Sequence, residues 1–155
     1  MNSLTLEQKR AIAKRNQMRY RVKTNDFVAS NCDFSLESLT GHSYGWWNMV
    51  QVINGLVVFN WYSYSSSTSK HQRKVSNLLD DLGLKVDLRI DARKGLQDLD
   101  TAISDYQYEI TQLVHEINKP RTHKAKNEER AERIKKIQAK IEHIQALKAG
   151  SLKAI

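Results

Sequence analysis

Cysteine, proline, glycine and long apolar runs are all scarce in this 155-residue chain. The single cysteine, Cys32, excludes a disulfide framework and a zinc site built from cysteines, and it favours a reducing, cytoplasmic setting. One proline and six glycines exclude collagen-like, low-complexity and wholly disordered chains. No stretch approaches the ~20 apolar residues that cross a bilayer, and the charged N-terminus is unlike a signal peptide. We therefore expect one compact folded domain, or one domain with an appendage, and no membrane partner.

The N-terminal segment predicts a basic helix. A capping box at residues 5–8 opens the helix, its pattern continues to about Tyr20, and a short strand is expected at 27–29. The apolar stripe of the helix is thin and its charge has no acidic partner nearby in sequence. It is therefore either a solubilising helix or a segment that orders on a polyanion. Its basic face consists of Lys9, Arg10, Lys14, Arg15 and Arg19.

A sheet and a second helix are predicted in the middle of the chain. Asn54 and Gly55 lie between two apolar runs, which predicts a β-hairpin with a two-residue turn. A second capping box predicts a helix that begins at Ser69 and ends before Gly83. Alternating residues over 84–91 predict a half-buried strand. The expected fold class is α+β, with a small antiparallel sheet of the hairpin and strand 84–91 packed with helices.

Aromatic residues are concentrated around the predicted hairpin. One face of the hairpin, which includes Val50 and Phe59, is expected to be core and to contain Trp46 and Trp61. The other face is amphipathic, so its aromatic side chains form either a second packing layer or a surface for a protein or single-stranded nucleic acid. These side chains are Trp47, Tyr62 and Tyr64.

The C-terminal third predicts a helical hairpin. Residues 96–117 and 131–147 both carry an apolar heptad pattern, and the only proline, Pro120, lies between them. Folding the chain there brings the two patterns into register, which predicts an antiparallel coiled coil over 96–149. The chain then divides into a globular unit at 1–95 and an arm at 96–155. The same seam could also close between two copies of the chain, as a homodimer.

Charge is distributed unevenly along the chain, whose net charge is +8. Residues 1–23 carry seven basic and one acidic residue, whereas 96–118 carry five acidic and no basic residues. Residues 119–155 carry eleven basic and four acidic residues. Because the last two segments form the predicted hairpin, we expect their charges to pair with each other. Unpaired positive charge is then expected at 1–23 and 69–74.

The predicted start of the second helix is the most specific candidate site. Its first turns contain several cations, which the helix dipole disfavours there. Free backbone amides and neighbouring hydroxyls would make this a pocket for phosphate, and the alternative is a solvated basic turn. The residues concerned are Ser69, Lys70, His71, Arg73 and Lys74.

The sequence favours a small intracellular, non-enzymatic accessory or regulatory protein. It would bind nucleic acid or a nucleoprotein complex through its basic helices, and a protein partner through the 96–149 hairpin. The alternative is a protein-only inhibitor or adaptor that binds an acidic protein surface. A third hypothesis is a metal-dependent nuclease that uses Asp87 and Asp91, which share one side of the predicted strand. No cofactor or metal is expected, since phosphate loops, nucleophile elbows and His/Cys clusters are absent from the sequence.

Overall fold

The computed structural model describes residues 4–63, 65–121 and 123–150. Over these residues, four helices and one seven-stranded sheet form an α+β fold, which confirms the predicted class. None of the helices described is both long and apolar enough to cross a membrane. The elements in chain order are α1 (Leu6–Arg15), β1 (Arg19–Arg21), β2 (Asp26–Ala29), β3 (Cys32–Ser35), β4 (Thr40–Ser43), β5 (Trp47–Ile53), β6 (Leu56–Asn60), α2 (Ser66–Leu82), β7 (Leu88–Ile90), α3 (Leu99–Ile117) and α4 (Lys124–Ala149).

The strands lie side by side in the order in which they occur in the chain. Strands β1 to β6 form an antiparallel meander, and β7 pairs with β6 in parallel after the crossover through α2. The predicted hairpin is β5–β6, with Ile53 opposite Leu56. Asn54 and Gly55 have φ angles of 51° and 81°, as a two-residue turn of this kind requires. The strand expected at 27–29 is β2.

Three predicted helix boundaries are wrong, of which the simplest is α3: it begins at Leu99 instead of residue 96, with Asp98 as its N-cap. Helix α1 ends at Arg15 instead of Tyr20, because the Asn16 side chain donates to the Ile12 carbonyl (2.9 Å) and Gln17 adopts a positive φ of 57°. Residues 19–21 therefore form strand β1. Helix α2 begins at Ser66, because its N-cap is Ser65, four residues before the predicted cap Ser69, and Ser65 accepts the Thr68 amide (3.1 Å).

The predicted strand 84–91 is shorter in the structure. Only Leu88–Ile90 pairs with β6, whereas Leu84 and Val86 pack against the core beneath α2 without strand pairing. The alternation that predicted a long strand therefore reflects partial burial of a connecting segment. The end of α2 is as predicted, since Gly83 follows Leu82 with a left-handed φ of 72°.

One face of the sheet forms a core with α1 and α2. Aromatic and apolar side chains from successive strands line up across it, and Gly41 lies in the middle of this row. A Cβ atom on Gly41 would lie 2.9 Å from Val50 Cγ1, so the row closes only because this residue has no side chain. The row consists of Tyr20, Phe27, Phe34, Gly41, Val50 and Phe59.

The opposite face of the sheet is covered at its β6–β7 end by helices α3 and α4. These two helices pack together, and their inner ends bury Ile144 and Leu147 in one cluster with Val58 and Ile90. Asn54, in the β5–β6 turn, donates a hydrogen bond to the Leu147 carbonyl near the end of α4. The helical hairpin is therefore seated on the sheet at its base.

Candidate nucleic-acid interface

Helices α1 and α2 lie next to each other, which brings the two predicted basic segments together. A cleft of about 230 Å³ between them is lined by Arg15 and Lys74, one from each helix. The Arg15 Nε atom lies 3.2 Å from the Asp81 carboxylate at the end of α2, which ties the two helices together. The pair of helices carries seven Lys or Arg residues against three Asp or Glu residues. We call this the basic surface, made of Arg10, Lys14, Arg15, Lys70, Arg73 and Lys74.

Carboxylates pair with several cations around the helical hairpin, whereas most cations of the basic surface have no such pair among the described residues. Each acidic residue of 96–118 has a partner, and Asp100, Glu109 and Glu116 pair with cations of 119–155 as expected from the block charges. Within the described residues, no ion pair forms at Arg10, Lys14, Lys70, Arg73 or Lys74. The partners in the C-terminal third are Thr101 for Asp98, Lys148 for Asp100, Arg93 for Asp105, Arg133 for Glu109 and Lys119 for Glu116.

Two predicted basic residues lie away from this surface. Lys9 is half-buried, with Nζ 3.4 Å from the Tyr20 hydroxyl and 5.4 Å from the centre of its ring. Arg19 is on β1 and pairs with Val28, so it points to the sheet face opposite Tyr20 and α1. The basic face predicted for one continuous helix is therefore divided, because that helix ends at Arg15.

The predicted phosphate pocket depended on a helix that starts at Ser69, and that start is wrong. Since α2 begins at Ser66, the Ser69 amide donates to the Ser65 carbonyl (3.1 Å) and is not free for an anion. The Ser69 hydroxyl contacts that of Ser63. Lys70 and Arg73 extend from the second and third turns, where the opposition of the helix dipole is weaker. They remain exposed cations of the basic surface, without the amide cradle.

His71 joins α2 to the sheet. Its Nδ1 atom lies 2.6 Å from the hydroxyl oxygen of the buried Ser43 on β4, and its ring lies 5.4 Å from the ring of Tyr44. Burial, and then the charge of Lys74, lower the pKa of His71 below 6.5. The imidazole is therefore neutral at pH 7. It positions the turn after β4 against the basic helix and adds no charge to the surface.

The aromatic residues are placed differently from the prediction. Trp47, expected either in a second packing layer or on a partner surface, is 3% exposed, whereas Trp46 and Trp61, expected in the core, are 62% and 38% exposed. Tyr62 is half-buried with its ring centre 6.4 Å from that of Trp47, and Tyr64 lies outside the described residues.

A β-bulge explains the exchange of the two adjacent tryptophans. Gly41 pairs with Val50 but His42 pairs with Asn48, so Met49 is an extra residue in β5. An extra residue reverses the alternation of side chains between the two faces of the sheet. Counting a strict alternation back along the chain from Val50 therefore assigns Trp46 and Trp47 to the wrong faces. Trp61 is exposed because β6 ends one residue before it.

The carboxylates of the nuclease hypothesis have structural partners. Asp87 accepts the Val57 amide (2.8 Å), and Asp91 accepts the Tyr106 hydroxyl (3.0 Å). In residues 4–63, 65–121 and 123–150, no three His, Cys, Asp or Glu side chains cluster so as to hold a metal ion. These two carboxylates therefore stabilise the β6–β7 end of the sheet.

Comparison with protein-family models, curated proteins and solved structures finds no match to this chain. The basic surface is thus interpreted from its geometry and charge. Sequence reasoning identified its cations but missed the exposed Tyr44, whose ring contacts His71 of α2, and the exposed Trp46 two residues later. The turn containing Gly45 was the available signal for their exposure.

Proposed function

We propose that this protein binds nucleic acid, without an enzymatic activity of its own, and that the basic surface of α1 and α2 contacts the phosphate backbone. The observation that carries the proposal is the cleft between the helices, where Arg15 and Lys74 come together from distant parts of the sequence. Clustered cations on one surface create the local positive potential that attracts a polyanion.

The distribution of ion pairs supports this assignment. Cations that already pair with carboxylates, such as Arg133 and Lys148, must lose a partner before they bind phosphate. Arg10, Lys14, Lys70 and Arg73 are exposed and have no such cost. Residues four apart on a helix share a side, so Arg10 and Lys14 present their charges together. Phosphate contacts at these positions would release counterions from the nucleic acid, which favours binding at low salt.

The helical hairpin has a separate proposed role as a coiled-coil arm for a protein partner or a second copy of the chain. Its base is docked on the sheet, while Tyr108 and Val114 on α3 are 65% and 42% exposed. This role stays a prediction.

An acidic protein surface is the alternative partner for the basic surface. The experiment below distinguishes that partner from nucleic acid.

A four-residue variant tests the basic surface. Replacing Arg10, Lys14, Lys70 and Arg73 by Gln should weaken binding of labelled duplex and single-stranded DNA, measured by fluorescence anisotropy across a salt series. If all four contact phosphates, the slope of log K against log salt on duplex DNA should become shallower by about 3.6. The full-length chain is used throughout, and circular dichroism confirms that the variant is folded.

The matched control removes four cations from α4. Replacing Lys124, Lys126, Lys135 and Lys136 by Gln makes the same change in net charge at exposed positions outside the basic surface. This control should retain most of the affinity and the salt slope. Equal losses in both variants would mean that binding follows net charge alone, and no binding by the wild type at ~50 mM salt would refute the proposal. Salt-sensitive capture of an acidic polypeptide such as polyglutamate, without DNA binding, would favour the acidic-protein alternative.

A further inference from the structure

The turn between β4 and β5 displays two aromatic rings. Tyr44 and Gly45 both have positive φ angles, 57° and 77°, so the chain reverses tightly here and its side chains extend outward. Trp46 is 62% exposed and Tyr44 is 42% exposed. The Trp46 ring meets the buried Trp47 ring edge to face, with centres 5.8 Å apart and planes at 83°. The buried tryptophan thereby supports the exposed one from one side.

This turn lies against the basic helix. The ring of Tyr44 is 5.4 Å from the ring of His71 on α2, and His71 is in turn hydrogen-bonded to Ser43, next to Tyr44 in sequence. Lys70 precedes His71 in the sequence, and Lys74 follows one helical turn later, close enough to lower the pKa of His71. Exposed aromatic rings and unpaired cations therefore occur on adjoining parts of the surface.

Resting on the nucleic-acid function proposed above, we propose that the ligand is single-stranded, with unpaired bases stacking on Trp46 and Tyr44 while Lys70 and Lys74 contact the adjoining phosphates. An aromatic ring stacks on any base, whatever its identity, so the site would have little sequence preference. Duplex DNA presents phosphates to the cations but keeps the faces of its bases inside the helix. The rings would therefore add affinity for single strands only.

The contribution of one stacked base sets the expected loss of affinity when a ring is removed. Stacking of one base on an aromatic side chain contributes enough to change affinity by roughly 5- to 150-fold. Removing the Trp46 ring alone should therefore be visible against the phosphate contacts. Charge complementarity favours a nucleic acid as the occupant, since an apolar protein surface would gain nothing from the neighbouring Lys70 and Lys74.

The experiment compares oligodeoxythymidine with a duplex of the same length by anisotropy. Trp46→Ala and Tyr44→Ala should each weaken single-strand binding by at least 5-fold, which is the loss expected for one stacking contact. Both variants should leave duplex binding within 2-fold of the wild type. Trp46→Phe should restore most of the affinity, because a stacking ring remains. Tyr108→Ala removes an exposed aromatic ring from α3 and is the control, which should bind both ligands like the wild type.

Fluorescence gives a second readout of the same contact. Oligodeoxythymidine should quench the wild-type tryptophan emission, and in Trp46→Phe most of this quenching should disappear while binding persists. Wild-type binding to both DNAs that is unchanged in Trp46→Ala and Tyr44→Ala would overturn the single-strand inference and leave the basic surface in place. Absence of DNA binding by the wild type would overturn both proposals together.

Discussion

Asn60 is the residue through which β6, α2 and the segment after β7 are joined. It is fully buried, donates to the Ala92 carbonyl (3.0 Å) and accepts the Ala92 amide (2.9 Å) with its side-chain oxygen. The buried Gln72 side chain on α2 donates to the carbonyls of Asn60 (3.0 Å) and Tyr62 (2.7 Å). The side-chain amides of Asn60 and Gln72 supply hydrogen-bond partners for buried backbone groups at the end of the β6–β7 pairing. These two polar side chains therefore stabilise an otherwise apolar interior.

Replacing Asn60 by Ala should therefore lower the free energy of unfolding by roughly 2–4 kcal/mol, because the Ala92 amide and carbonyl lose buried partners. Urea denaturation measures this loss. Asn48→Ala is the matched control, since Asn48 is half-exposed and its side-chain amide donates to the Gln51 side chain (3.0 Å). The control should cost under about 1 kcal/mol. Equal midpoints for the two variants would contradict the role given to Asn60.

His71 makes stability depend on pH. Because burial and Lys74 lower its pKa in the folded protein, the unfolded chain binds a proton more readily below about pH 6.5. The free energy of unfolding should therefore decrease as the pH falls below this value, and His71→Gln should lessen that decrease. Urea denaturation at several pH values measures the slope, and an NMR titration gives the pKa. A pKa at or above 6.5 in the folded protein would contradict this explanation.

Among the elements, those with strong local signals could be predicted from the sequence and those defined by pairing could not. The Asn54 and Gly55 turn and the apolar seams of α3 and α4 depend on neighbouring residues only. Strands β1, β3 and β4 are three or four residues long and have polar side chains on their uncovered face, so they have little periodicity to detect. The start of α2 was misplaced because two serines, Ser65 and Ser69, both precede sequences compatible with capping.

The docking of the helical hairpin is tested by two isoleucines on the same helix. Ile144 is fully buried in the cluster with Val58 and Ile90, whereas Ile134, nearer the start of α4, is only half-buried. Ile144→Ala should cost about 2–5 kcal/mol, since it leaves a cavity between helix and sheet. Ile134→Ala, the same chemical change, should cost at most half as much. Thermal denaturation compares the two, and similar costs would mean that the base of the hairpin is no better packed than its outer part.

At the scale of the whole molecule, ion pairs are more frequent around α3 and α4 than on the basic surface of α1 and α2. The pairing of the acidic α3 with cations such as Arg133 and Lys148 could be predicted, because block charges on two packed helices must meet. The meeting of Arg15 with Lys74 could not, because it depends on how the strands between α1 and α2 fold. The cations of the candidate site could therefore be predicted from the sequence. Their position on one surface and the exposure of Trp46 could not.

The order of the strands has a consequence for how the chain is made. Turns of only two to four residues connect β1 to β6, so each strand finds its partner just behind it and closes a short loop with little loss of entropy. Such local contacts form quickly. Strand β7 can pair with β6 only after the crossover through α2 has formed, and the helical hairpin of α3 and α4 can dock only on a completed sheet face. Folding can thus proceed from the N-terminus during synthesis. A nascent chain can assemble the α1–α2 surface while α3 and α4 are still being translated.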